Sequence, residues 1–258
     1  MDWTLQNRFF EAIDTNKIKL MKELIHQGAN VNICGDNGYR PLSWALVVGY
    51  EEIACALIQA GADLNQKSPD GQTPLHLAVE HGYLDIAKTL IKKGVYVNDC
   101  TLKGETPLHL VAKTGYLDMA RLLIQEKADV NMLNNKGNTP LHQAVSLGYL
   151  DMVKLFIETG ADVNKKNNKL NAPIHLAVWG RLEMMEELIK SGADLLAKNQ
   201  RGEDAYSLAM KHGQVKVAKM IKEAVKEKMN DSRKVAQRKV AQQVNKNVRF
   251  AQNGLERE

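Results

Sequence analysis

Apolar residues recur along this chain on two nested periods. Leu84, Ala87, Leu90 and Ile91 sit at helical spacing, which places them on one face of an amphipathic helix. A shorter apolar run precedes that stripe and opens with Thr-Pro-Leu-His. The tetrapeptide stands at Thr73–His76, Thr106–His109 and Thr139–His142, a constant step of 33 residues, and Ala172-Pro173-Ile174-His175 is a degenerate fourth copy on the same step. Self-similarity at this period predicts stacked helix-turn-helix units, each burying its apolar face against its neighbours, rather than one globular core.

The polar and glycine positions between the runs supply the punctuation. Gly38, Gly71, Gly104, Gly137 and Gly202 fall where a tight turn needs a positive φ. Threonine then caps a short first helix, with proline in its first turn, where a missing N–H costs nothing. A second glycine (Gly49, Gly82, Gly115, Gly148, Gly180, Gly213) ends that helix, and a third (Gly28, Gly61, Gly94, Gly160, Gly192) closes the longer second one. An extended Asp-Val-Asn stretch, such as Asp162-Val163-Asn164, is expected to lead into the next turn.

The unit reads D/N-x-x-G-x-T-P-L-H-x-A-x-x-x-G-x-L-x-x-A-x-x-L-I-x-x-G-A-D-V-N and resembles the ankyrin repeat over about residues 5–228. The resemblance implies an all-α solenoid with β-hairpin loops, in seven units. Residues 1–34 form an N-terminal capping unit, because Asn7-Arg8-Phe9-Phe10 replaces the tetrapeptide there. Residues 35–201 hold five repeats, residues 202–230 a C-terminal capping unit and residues 231–258 a basic tail. The sixth unit is irregular: Ala177 to Gly180 is one residue shorter than Ala144 to Gly148, and Leu170 stands where the turn glycine belongs. The resemblance also marks Asn32, Asn65, Asn98, Asn131 and Asn164 as counterparts of hairpin asparagines that a host oxygenase hydroxylates in such proteins.

Charge changes the picture at one end only. Residues 1–210 carry 22 basic and 25 acidic side chains, whereas residues 211–249 carry 12 and 3. No apolar run approaches the roughly 18 residues of a membrane span, and Met1-Asp2-Trp3 opens no signal peptide. Three cysteines without CxxC spacing (Cys34, Cys55, Cys100) argue against a disulfide framework or a zinc site. The compartment expected is cytoplasmic.

Candidate chemistry is scarce. Units stack at about 10 Å, so His76, His109, His142 and His175 cannot converge on a metal whose ligands lie within about 2.3 Å. Their expected role is a ring hydrogen bond to the adjoining loop. No phosphate-binding loop, GxSxG elbow or HExxH helix is present in the sequence, and no cofactor is implied. The expected protein is a non-enzymatic, monomeric scaffold for protein partners.

The resemblance places partner contacts at the hairpin tips and on the concave face of the first helices. Candidate residues there are Tyr39, Val47, Val48, Asp70, Glu80, His81, Lys103, Lys113, Leu147, Trp179 and Arg201. Tyr39, Val47, Val48, Leu147 and Trp179 break the polar trend and suggest two apolar patches. The competing reading turns Trp179 inward through the one-residue deletion and packs the unit-two trio.

Val240, Val244 and Val248 form a thin stripe in the basic segment. That segment is a helix docked as an extended cap, a solvated tail, or an element binding nucleic acid or an acidic membrane. The last is the alternative function. Asn- and Lys-rich loops in a free-standing array are similar to secreted effectors of intracellular bacteria, which act on proteins in a host cytosol.

Overall fold

A computed structural model describes residues 3–255, and within the last helix it leaves out the side chains of several residues beyond 231. The chain forms antiparallel helix pairs in the expected order. They are α1 (Trp3–Asp14) with α2 (Ile18–His26), α3 (Pro41–Val48) with α4 (Glu51–Gln59), and α5 (Pro74–His81) with α6 (Leu84–Lys92). Next come α7 (Pro107–Thr114) with α8 (Leu117–Gln125), and α9 (Pro140–Leu147) with α10 (Leu150–Glu158). The sixth pair is α11 (Pro173–Leu176), extended by a 3-10 turn (Ala177–Trp179), with α12 (Leu182–Lys190). The seventh is α13 (Ala205–Lys211) with α14 (Val215–Leu255). First helices touch first helices and second helices touch second helices from one unit to the next, giving two layers.

Helices this short do not hold themselves together; packing of their apolar faces does. Leu75, Ala78 and Val79 of α5 and Ile86, Ala87 and Leu90 of α6 are all fully or almost fully buried. Equivalent residues continue the core from Phe9 at one end to Ile221 at the other. Each unit contributes only a thin slice of this core, and the interface with its neighbours completes it.

The Thr-Pro-Leu-His signature works as a cap and as a staple between units. In α5, α7 and α9 the threonine hydroxyl accepts the N–H of the histidine three residues on, at 3.4 Å in each case. The histidine Nδ1 in turn accepts the threonine N–H at 3.1–3.2 Å. These two bonds satisfy two of the N–H groups left open at a helix start. The far ring nitrogen, Nε2, donates to the next turn in three units (His76 to the Glu105 carbonyl at 3.0 Å, His109 to Asn138 at 2.9 Å and His142 to Asn171 at 3.0 Å), whereas His175 donates to Ala197 ahead of that turn at 3.0 Å. The expected ring-to-loop bond is therefore present in all four.

No β-strand occurs among the described residues; the fingers are hairpin-like turns. Thr101 donates to Glu105 O and Gly104 to Thr101 O within one finger. Neighbouring fingers are joined by one backbone bond each: Leu102 N to Asp70 O, Asn135 N to Lys103 O, Asn168 N to Lys136 O, and Gln200 N to Lys169 O, at 2.9–3.1 Å. The Asp-x-Asn stretch also turns instead of running extended, because the aspartate captures the N–H two residues on (Asp63 to Asn65, Asp129 to Asn131, Asp162 to Asn164). Asn32, Asn98, Asn131 and Asn164 then bridge units, each accepting an N–H from the next one at 2.7–2.9 Å.

Unit six carries its irregularity in the backbone. Leu170 holds a left-handed φ of +55°, and Gly180 is extended at φ −85° and ψ −170° where its counterparts are left-handed. The missing residue tightens the end of the first helix into the 3-10 turn. α14 runs unbroken across position 231. Val217, Ala218 and Ile221 anchor it in the core, and Lys228 Nζ donates to the Ala193 carbonyl at 3.0 Å. Beyond Lys228 every side chain that is described is exposed, so the overhang stands clear of the body over those residues. The Val240, Val244 and Val248 side chains lie outside the described residues.

Candidate functional site

The fingers and first helices line a run of clefts on one face. Asp70, Gln72, Glu80, Lys103, Glu105 and Lys113 enclose about 220 Å³ between units three and four. The largest of these, about 860 Å³, spans units four to six and is rimmed by Lys136, Asn168 and Lys169, with Gln143, Leu147 and Leu176 behind them. A third of about 420 Å³ lies between Trp179, Lys169, Arg201, Lys211 and His212. Their shared residues make these clefts continuous: Lys113 borders the first two, and Lys169, Asn171 and Leu176 border the last two.

The floor is set by side chains eight residues apart, one just after the turn and one late on the first helix. Lys113 Nζ lies 2.5 Å from Glu105 Oε1, and Lys211 Nζ lies 2.6 Å from Glu203 Oε1. Gln72 Nε2 meets Glu80 Oε2 at 2.5 Å in the same register. Glu105 is only 8 % exposed and accepts a further bond from Gln143 Nε2 at 3.1 Å, so its charge is fully matched. The Glu203 carboxyl is held below its usual range, first by the hydrogen bond from Lys211 and then by that from Asn199. This i, i+8 pairing was present in the sequence as Glu105/Lys113 and Glu203/Lys211, although only the lysine of the first pair stands out as a candidate there.

The apolar candidates separate into two kinds. Leu147 and Trp179 are 52 % and 55 % exposed, and each borders a cleft. Trp179 is not turned inward; its ring lies 5.4 Å from that of His212. The 3-10 turn accounts for this, because the chain buries Ala177 and Val178 and then releases the next side chain outward. Tyr39, Val47 and Val48 are half-buried instead. Tyr39 packs 5.9 Å from Trp44, a residue with no mark of interest in the sequence, whose Nε1 donates to Asp14 Oδ1 at 2.6 Å. This cluster ties unit two to unit one.

Among the remaining candidates, Asp70, Glu80, His81, Lys103 and Arg201 are exposed. His81 stacks on Tyr83 with ring centroids 5.6 Å apart. Among the described residues no three His, Cys, Asp or Glu side chains are grouped to hold a metal ion. No helix among them is long and apolar enough to cross a membrane.

A family model for ankyrin repeats, three copies, matches residues 9–100 and again 95–167, and a model of the single ankyrin repeat matches residues 169–200. The chain belongs to the ankyrin-repeat family. Ankyrin repeats are generally modules of protein–protein interaction, and the clefts described above lie within or beside the matched units. Nothing among the curated proteins matches the chain. The matched ankyrin span ends before α13; the pair α13 and α14 shares with the units before it a capped first helix, Asp204 accepting the Ser207 N–H, and the finger bond from Gln200 to Lys169.

Proposed function

We propose that this ankyrin protein is a non-enzymatic scaffold that holds a protein partner in the continuous groove of units four to seven. The observation that carries this is the exposure of Leu147 and Trp179 beside adjoining clefts whose other lining residues are polar except Leu176 and Leu208. Large apolar side chains held in contact with water on a rigid concave surface are the usual anchors of an interface. The unit-two trio belongs to packing in this reading, and the candidate surface shifts toward the C-terminal half. The Asn- and Lys-rich loops support the finer form, an effector that an intracellular bacterium delivers to act on host proteins.

One observation favours a second reading for α14. Arg233, Lys234, Arg238 and Lys239 are exposed on its overhang, where a nucleic acid or an acidic membrane could reach them. Affinity capture separates the two. The full chain is expected to lose only part of its captured partner at raised salt, as screening of a few exposed pairs would give, and a chain ending at residue 230 to behave equally. Leu147→Ser with Trp179→Ala should lower capture about tenfold or more, as hot-spot truncations do. Loss of capture on shortening, together with a steep salt dependence, would move the function to the overhang.

A further inference from the structure

One basic residue stands in the same place on each of four successive fingers. Lys103, Lys136, Lys169 and Arg201 each directly precede the residue that turns the finger, namely Gly104, Gly137, Leu170 and Gly202. All four are exposed, and among the described residues none forms a close ion pair, although Arg201 is near enough to Glu203 to help hold its carboxyl below the usual range. The equivalent residues of units two and three are Asn37 and Asp70, so the row begins at unit four and follows the groove to its end. The fingers that carry it are fixed relative to one another by the backbone bonds between them. Two of these junctions are tied further, by Asn135 Nδ2 to Leu102 O and Asn168 Nδ2 to Asn135 O.

A rigid row of exposed cations bordering apolar anchors selects for complementary charge. We infer that the partner enters this groove as an extended acidic segment, with carboxylates against Lys103, Lys136, Lys169 and Arg201 and an apolar side chain on Leu147 and Trp179. The inference rests on the scaffold reading above and names the chemistry of its partner. Spacing makes it specific. Units stack at about 10 Å, and a chain in the polyproline-II form, with three residues per turn, advances about 9 Å per turn and returns every third side chain to the same face, so acidic residues at every third position meet successive fingers.

A nucleic-acid strand fits the same row less well. Glu105 and Glu203 lie in the groove floor and already neutralise Lys113 and Lys211, so the charge of the floor does not add to that of the rim. Trp179 is the only Trp, Tyr or Phe that borders the three clefts, whereas strand binding relies on successive stacking platforms. The polarity of the groove, acidic toward Asp36 and Asp70 and basic toward Arg201, also gives an acidic segment a defined end to occupy.

The test is fluorescence anisotropy with the full chain and four labelled probes. The first is a 13-residue peptide (a length chosen for the assay) with Glu at every third position and one central Leu. The others are its Glu→Gln counterpart, a peptide of equal charge with its Glu residues contiguous, and an oligothymidine. The spaced-Glu peptide is expected to bind best, and to weaken about tenfold in the quadruple variant K103Q/K136Q/K169Q/R201Q, the summed effect of four exposed pairs. Equal binding of the Gln or the contiguous-Glu peptide overturns the inference, as does an unchanged affinity in the quadruple variant. Tighter oligothymidine binding that depends on the same four residues overturns it in favour of a strand. If the quadruple variant keeps its captured partner while the Leu147/Trp179 variant loses it, the scaffold reading stands and the acidic-partner inference falls.

Discussion

Lowering the pH from 6.5 toward 4 is expected to destabilise the ankyrin array well before its carboxylates titrate. Burial drives this: desolvation holds the His76 imidazole down to about 4, against an ordinary 6.5, and lowers His109, His142 and His175 in the same direction. The hydrogen bonds require the neutral ring. Nε2 of His76, His109 and His142 donates to the next unit's carbonyl and that of His175 to Ala197 late in its own unit, so each Nδ1 must accept the N–H of the capping residue. A proton on Nδ1 replaces an acceptor with a donor and breaks the cap. In the unfolded chain these rings bind protons near 6.5, and in the folded chain only at lower pH, about 4 for His76. The unfolded state therefore holds more protons between those values, and stability falls as pH falls through that window. A tenfold change in proton affinity is worth about 1.4 kcal/mol, so His76 alone contributes roughly 3 kcal/mol above pH 6.5 that is lost by pH 4. Urea unfolding followed by circular dichroism at stepped pH should show the midpoint dropping between pH 6.5 and 5. A midpoint that stays level there and falls only below the carboxylate range contradicts the account.

The second large effect is expected at Gly137. Its φ of +72° is costly for any other residue, and a Cβ there would lie 2.7 Å from the backbone nitrogen of Asn168 and in contact with its Oδ1. That nitrogen donates to the Lys136 carbonyl, so the added methyl pushes apart the two fingers that rim the largest cleft. Gly137→Ala should cost about 2–4 kcal/mol, combining left-handed strain with a backbone clash. Gly160→Ala is the internal control: φ is +98° there, yet nothing lies within 4 Å of the added carbon. It should cost only about 1 kcal/mol. Equal losses at the two sites in denaturant titrations would show that the close approach of the fingers is not what Gly137 protects.

Much of the fold was legible because the repeat writes each contact several times. Three identical copies of Thr-Pro-Leu-His fix the cap, the first helix and the inter-unit bond, and the glycines fix the turns. Even the defect in unit six could be located, since Leu170 interrupts a series of glycines and occupies their left-handed φ. The candidate site was less legible. A variable position encodes a side chain but not its exposure, which depends on packing between units. Tyr39 and Trp179 look alike as aromatic intrusions, yet Trp44 covers one and a 3-10 turn releases the other. Contact across a finger is also invisible where the residues are distant in sequence, as with Gln143 reaching Glu105.

The central claim is that the groove of units four to seven is the surface that engages a protein. Site-specific photo-crosslinking tests it most directly, with the reactive side chain placed in turn at Ser146 in the groove and at Lys154 and Glu158 on α10, in the other layer. All three positions are exposed, so each substitution should leave the fold intact. A protein adduct formed from position 146 and absent from positions 154 and 158 is the predicted result. Adducts that form from α10 while position 146 stays silent would contradict the account and move the interface to the opposite face.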